Sequence, residues 1–79
     1  MRPIKIYSRR AKDGVLMEAS QMDQVFEALK REGIIPDLYT AATTDPTTGY
    51  HSYTPSSEEL RETAIRILDQ FGVLWEETP

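Results

Sequence analysis

His51 is the chain's single imidazole, and Ser52 beside it and Ser8 near the start are the hydroxyls it could activate as a general base. Such a pair also needs a strained elbow or a donor-rich loop for the oxyanion, and no such pattern occurs. A histidine on a strand with an ordinary hydrogen bond is the simpler reading. One imidazole with scattered carboxylates is not a zinc constellation, and "DPTTG" lacks the alternating acidic ligands of a calcium loop. The absence of cysteine removes thiolate nucleophiles, disulfides and every cysteine-bearing metal site. Phosphate-cradling loops need spare glycines, and the four here serve elsewhere: Gly14 and Gly49 in turns, Gly33 and Gly72 after helices. The expectation is therefore a noncatalytic chain with no cofactor and no metal.

Tyrosine is the residue type left over. Tyr50, His51 and Tyr53 lie on or beside one expected strand, Tyr39 on the strand before it and Tyr7 on the first. Side chains alternate along a strand, so helices covering one sheet face leave some of these rings on the other, together with Lys5 and, by the same count, Arg9. Tyrosine couples a large apolar ring to a hydroxyl that stays wet, which suits it to interfaces. The competing reading is that the rings only pair with one another across strands.

The elements that must hold these rings are legible in the patterning. "IKIYSRR" alternates Ile4 and Ile6 with Lys5 and Tyr7, the period of a half-buried strand, and Asp13-Gly14 follows as a turn pair. "VLMEA", residues 15 to 19, fits a returning strand or the lead-in to a helix. A helix is expected from a Ser20 cap, with Met22, Val25, Phe26 and Leu29 as one apolar stripe. Gly33 stops it, Ile34 folds back, and Pro36 blocks continuation. A second helix starts with a Ser56–Glu59 capping box, buries Leu60, Ala64, Ile67, Leu68 and Phe71, and ends at Gly72, with Glu62 placed to pair with Arg66. "PDLYTAATT" and "GYHSYTP" have strand composition around a turn at Asp45-Pro46 to Gly49. "VLWEETP" adds a short strand in which Trp75 must dock. Both helices end in Gly and two aliphatics, a hint of a duplicated hairpin-plus-helix unit.

These elements predict an α+β domain over residues 1 to 79. It has a small antiparallel sheet with two amphipathic helices packed on one face, roughly residues 20 to 32 and 57 to 71, in ββαββα or ferredoxin-like βαββαβ order. The N-terminal run lacks a signal-peptide core and no apolar run reaches the roughly 20 residues of a membrane span, so no membrane partner and a reducing cytoplasm are expected.

Charge narrows the partners. The net charge is −4, yet Arg2, Lys5, Arg9, Arg10 and Lys12 give the first twelve residues +5 and leave −9 for the rest. The acidic balance argues against broad binding to nucleic acid, and the simplest use of the N-terminal cations is pairing with the acidic C-terminal half. The expected function is that of a small protein-binding domain, an inhibitor or accessory regulator. It would dock a protein partner or a second copy through Tyr7, Tyr39, Tyr50, His51 and Tyr53.

One stretch supports a second reading. "REGIIP" followed by "TGYHSYTPSSEEL", within residues 31 to 60, resembles MerR-type winged-helix regulators, where a helix ends in Glu-Gly-aliphatic-aliphatic-Pro and the wing returns through Gly-Tyr-x-x-Tyr to an acidic helix start. The resemblance implies a DNA-binding regulator that uses the 37 to 54 hairpin as its wing, built on Gly49, Tyr50 and Tyr53, with Tyr53 touching the DNA backbone.

Overall fold

Ile4 and Ile6 are wholly buried while Lys5 and Tyr7 are not, so the alternation of the first strand already separates a covered sheet face from an open one. The computed structural model describes residues 1–39 and 49–78. Its elements run β1 (Ile4–Ala11), α1 (Ala19–Arg31), β2 (Asp37–Tyr39), β3 (Tyr50–Tyr53), α2 (Glu58–Phe71) and β4 (Val73–Glu77). The strands form one antiparallel sheet in the order β2-β3-β1-β4. This is the ferredoxin-like βαββαβ arrangement, the second of the two expected orders.

The question of residues 15 to 19 is settled by a bulge. Arg9 takes a left-handed backbone (φ 55°), uncommon for a side chain with a Cβ, and the β1–β4 register shifts between Ile6 and Ala11. The bend lets the end of β1 close a tight hairpin. Met17 N donates to Arg9 O (2.7 Å), Ala11 N donates to Val15 O (2.9 Å), and Arg10 bridges Leu16. Only that isolated bridge forms, so "VLMEA" is neither a full strand nor part of the helix until Ala19.

The cap of helix α1 lies two residues before the expected Ser20. Glu18 is the N-cap, and the Gln21 side chain reaches back to accept from Glu18 N (3.0 Å). Helix α2 is capped by Ser57, not Ser56: its hydroxyl accepts from Leu60 N (3.2 Å), and Glu58 and Glu59 occupy the positive first turn. Gly33 and Gly72 follow the helices at φ 76° and 70°, and the next residues, Ile34 and Val73, are wholly buried. The repeated Gly-aliphatic ending is thus the joint of two strand-helix-strand units, β1-α1-β2 and β3-α2-β4, not of two hairpin-plus-helix units.

Both helices cover the Ile4–Ile6 side of the sheet. Met22, Val25 and Leu29 of α1 and Ala64, Ile67 and Leu68 of α2 meet Ile4, Ile6, Met17, Ile34 and Val73 in one core. Phe71, expected inside, is 37% exposed; its side chain borders a surface hollow with Ala28 and Arg31 of α1, while Leu68 of the same turn takes the core position. The expected Glu62–Arg66 pair does not form among the described residues; Arg61 instead bonds Glu77 (2.8 Å) and sits 3.6 Å from Glu58. No helix is long and apolar enough to cross a membrane.

Strand β3 is hydrogen-bonded on both sides, to β1 and to β2. Asp37–Tyr39 and Tyr50–Tyr53 of the expected wing are thus an edge and an inner strand of a four-stranded sheet. The architecture that the MerR resemblance implies is not the one adopted. Of the turn expected from Asp45-Pro46 to Gly49, all but Gly49 lies outside the described residues.

Two substitutions test this account of the core. Ile6→Ala should cost about 2–5 kcal/mol by opening a cavity on the central strand, a large share of the roughly 4–12 kcal/mol expected for a chain of this size. Gly72→Ala should cost about 1–2 kcal/mol from backbone strain alone, since a Cβ there meets nothing within 4 Å. Urea titration followed by circular dichroism reads both.

Candidate functional site

The register assigns each tyrosine to a face. Ile4 pairs with Tyr53 and Ile6 with His51, so Tyr53 and His51 lie on the helix-covered side; Lys5 pairs with Ser52 and Tyr7 with Tyr50, so these four lie on the open side. In β2, Tyr39 takes the position opposite Tyr50, and its side chain lies outside the described residues. The five residues expected to act together are therefore divided. Tyr7 and Tyr50 meet on the open face, while His51 and Tyr53 lie partly buried on the helix side.

On the open face Lys5 is the hub. Its Nζ stands 4.9 Å from the centre of the Tyr7 ring, 4.6 Å from that of Tyr50, and 3.8 Å from Glu76 Oε1. The Tyr7 hydroxyl donates to the same carboxylate oxygen at 2.6 Å. A cation between two π faces with a carboxylate behind it gains from each neighbour. Glu76 arrives by the pairing of β4 with β1, directly opposite Lys5. Its part was missed in the sequence, where period two in "VLWEE" would have put Leu74 and Glu76 on one side and Val73, Trp75 and Glu77 on the other.

On the covered side His51 packs against Phe26 of α1, ring centres 4.3 Å apart and tilted by 48°. Neighbouring residues of a strand face opposite ways, so Ser52 cannot serve His51 as a nucleophile. Burial holds the imidazole below its ordinary pKa of 6.5 and raises the Tyr53 phenol, which packs on the core. Beside the His51–Phe26 pair runs a groove of about 470 Å³, walled by Ile34 and Pro36 and rimmed by Glu27 and Lys30. Ile35 and Leu38 border this end of the fold 73% and 63% exposed. Nothing in the sequence singled the groove out, because α1, the turn after it and β3 contribute separately.

Trp75 does dock. Its indole donates to Asp69 Oδ1 (2.8 Å), and Lys12 pairs with the same carboxylate. The Lys12 and Trp75 hydrogen bonds hold Asp69 below its ordinary pKa. With Lys5–Glu76, this is the expected pairing of N-terminal cations with the acidic C-terminal half. Among the described residues no three acidic or histidine side chains group closely enough to hold a metal ion.

His51 gives the site a pH signature. Its folded pKa lies below the unfolded value of 6.5, so the unfolded chain binds the proton first, and stability should fall as pH drops through that range. His51→Gln should flatten the loss between neutral pH and the carboxylate range; melting temperatures recorded across that range check it. Compared with known protein families, with curated proteins and with solved structures, the chain matches none.

Proposed function

We propose that the chain is a small noncatalytic protein-binding domain, an inhibitor or accessory regulator, whose contact surface is the open face of the sheet. The observation that carries the reading is the Lys5–Tyr7–Tyr50–Glu76 cluster. Burying a charge against a partner is costly when it arrives unpaired. Here the ammonium already has two rings and a carboxylate, and the carboxylate already accepts from Tyr7. A partner can cover this cluster and gain two tyrosine rings' worth of apolar contact without stranding an ion. Tyrosine is also a residue type that concentrates binding energy at interfaces.

The face carries both signs, so a second copy of the chain is an admissible partner, as a self-complementary patch requires. The reading suits a cysteine-free chain in a reducing cytoplasm. His51 and Tyr53 leave the proposed contact set, because the register puts them on the helix side of the sheet, away from this face.

The Tyr7→Ala/Tyr50→Ala double variant tests the proposal. It should keep a near-native circular dichroism spectrum, since neither ring contributes to the core. Proteins captured from the native host by the wild type, and by a Glu59→Gln control on the outer side of α2, should be lost by the double variant. A purified partner should bind it at least about tenfold more weakly. Undiminished capture would move the contact surface elsewhere.

A further inference from the structure

The groove between α1 and β3 is on the opposite side of the sheet from the tyrosine face, and the protein-binding reading makes no use of it. Its volume of about 470 Å³ falls within the roughly 300–1,000 Å³ typical of small-molecule sites. Its walls are largely apolar, with Ile35 and Pro36 on one side and the Phe26 ring, braced by His51, on the other. The His51 imidazole lines the groove and makes no hydrogen bond among the described residues, so a polar ring edge is available beside the apolar wall.

The rim is more informative. Glu27 and Lys30 are exposed, stand three positions apart on one face of α1, and take no ion-pair partner, from each other or elsewhere, among the described residues. Side chains at that spacing have their Cβ atoms roughly 5–6 Å apart, so their heads can flank a single small polar group. A ligand with only a carboxylate would meet Lys30 and be repelled by Glu27, and an amine would meet the reverse. A ligand whose ammonium and carboxylate sit on one carbon satisfies both.

We propose that the groove binds a free α-amino acid with an apolar or aromatic side chain. The ligand's carboxylate meets the Lys30 ammonium, its α-ammonium meets the Glu27 carboxylate, and its side chain lies along Phe26, Ile35 and Pro36. A residue within a peptide carries neither charge, so the rim favours the free amino acid over a chain segment. Specificity rests on the zwitterionic head; the open groove makes looser demands on side-chain shape.

The test is a titration of the full chain with L-leucine and L-phenylalanine, followed by amide chemical shifts in NMR and by calorimetry. Three leucine analogues serve as controls: 4-methylpentanoic acid without the ammonium, 3-methylbutylamine without the carboxylate, and N-acetyl-leucine N-methylamide without either charge. Saturable shifts are expected at residues 26 to 36 and at His51 with at least one amino acid, and weaker binding of all three analogues. Glu27→Gln and Lys30→Gln, exposed positions whose folding the same spectra verify, should each weaken binding about threefold or more, as partly solvated ion pairs allow. No saturable shift up to about 10 mM, a tenfold margin over millimolar affinity, would overturn the proposal. So would analogues that bind as well as leucine, variants that bind as wild type does, or shifts confined to Tyr7 and Tyr50.

Discussion

The structure depends on the period of two along β1. This strand is hydrogen-bonded on both sides, to β3 and to β4, so the direction of each of its side chains fixes a row across the sheet. Ile4 and Ile6 place Tyr53, His51, Trp75 and Glu77 on the covered side. Lys5 and Tyr7 place Ser52, Tyr50 and Glu76 on the open one. A slip of one residue would exchange the two sets and put Lys5 into the core, at a desolvation cost that a chain this small could not absorb. The burial of two isoleucines therefore decides which tyrosines are available to a partner.

The central strand also explains the placement of charge. Two of the five cations of the first twelve residues meet the acidic end of the chain: Lys5 pairs with Glu76 through strand pairing, and Lys12 with Asp69 beyond the bulge. Thr78 donates to Pro3 O from both its backbone N and its hydroxyl, closing the Ile4–Glu77 end of the β1–β4 ladder (2.9 Å each). Each exposed ion pair is worth little alone, about 0–1 kcal/mol. Their common effect is to hold β4 in register, which brings Trp75 against α2 and Glu76 behind Lys5. The bulge at Arg9 serves the same end. Its left-handed backbone and its side chain, which donates to Met17 O (3.0 Å), turn the chain from the sheet toward α1.

The two faces offer different chemistry because different elements build them. The open face is made by strands alone, and its Lys5, Tyr7 and Glu76 side chains satisfy one another before any partner arrives. The groove on the covered side exists because α1 stops at Gly33 and leaves the β3 end of the sheet uncapped beside Ile34 and Pro36. There the apolar wall is continuous but the rim charges are unspent. A surface whose charges are already paired suits a broad contact, and a concavity with free charges of both signs suits a small zwitterion.

By itself the sequence determined the elements. Alternation at residues 4 to 7, the stripes at Met22–Leu29 and Leu60–Leu68, and the Gly-aliphatic stops are local physics, and the α+β class with two helices on one face follows from them. The caps shifted by one or two residues, from Ser20 to Glu18 and from Ser56 to Ser57, because several nearby side chains can satisfy the same helix start and only the incoming chain direction selects among them. Tertiary structure alone decided the βαββαβ order, since residues 15 to 19 suit strand and helix equally until the Arg9 bulge limits their pairing to one bridge. It alone decided that Tyr7 and Tyr50 share a face with Glu76 while His51 and Tyr53 do not. Which side of a sheet a residue occupies is set by the register between strands distant in sequence, and no local pattern encodes that register.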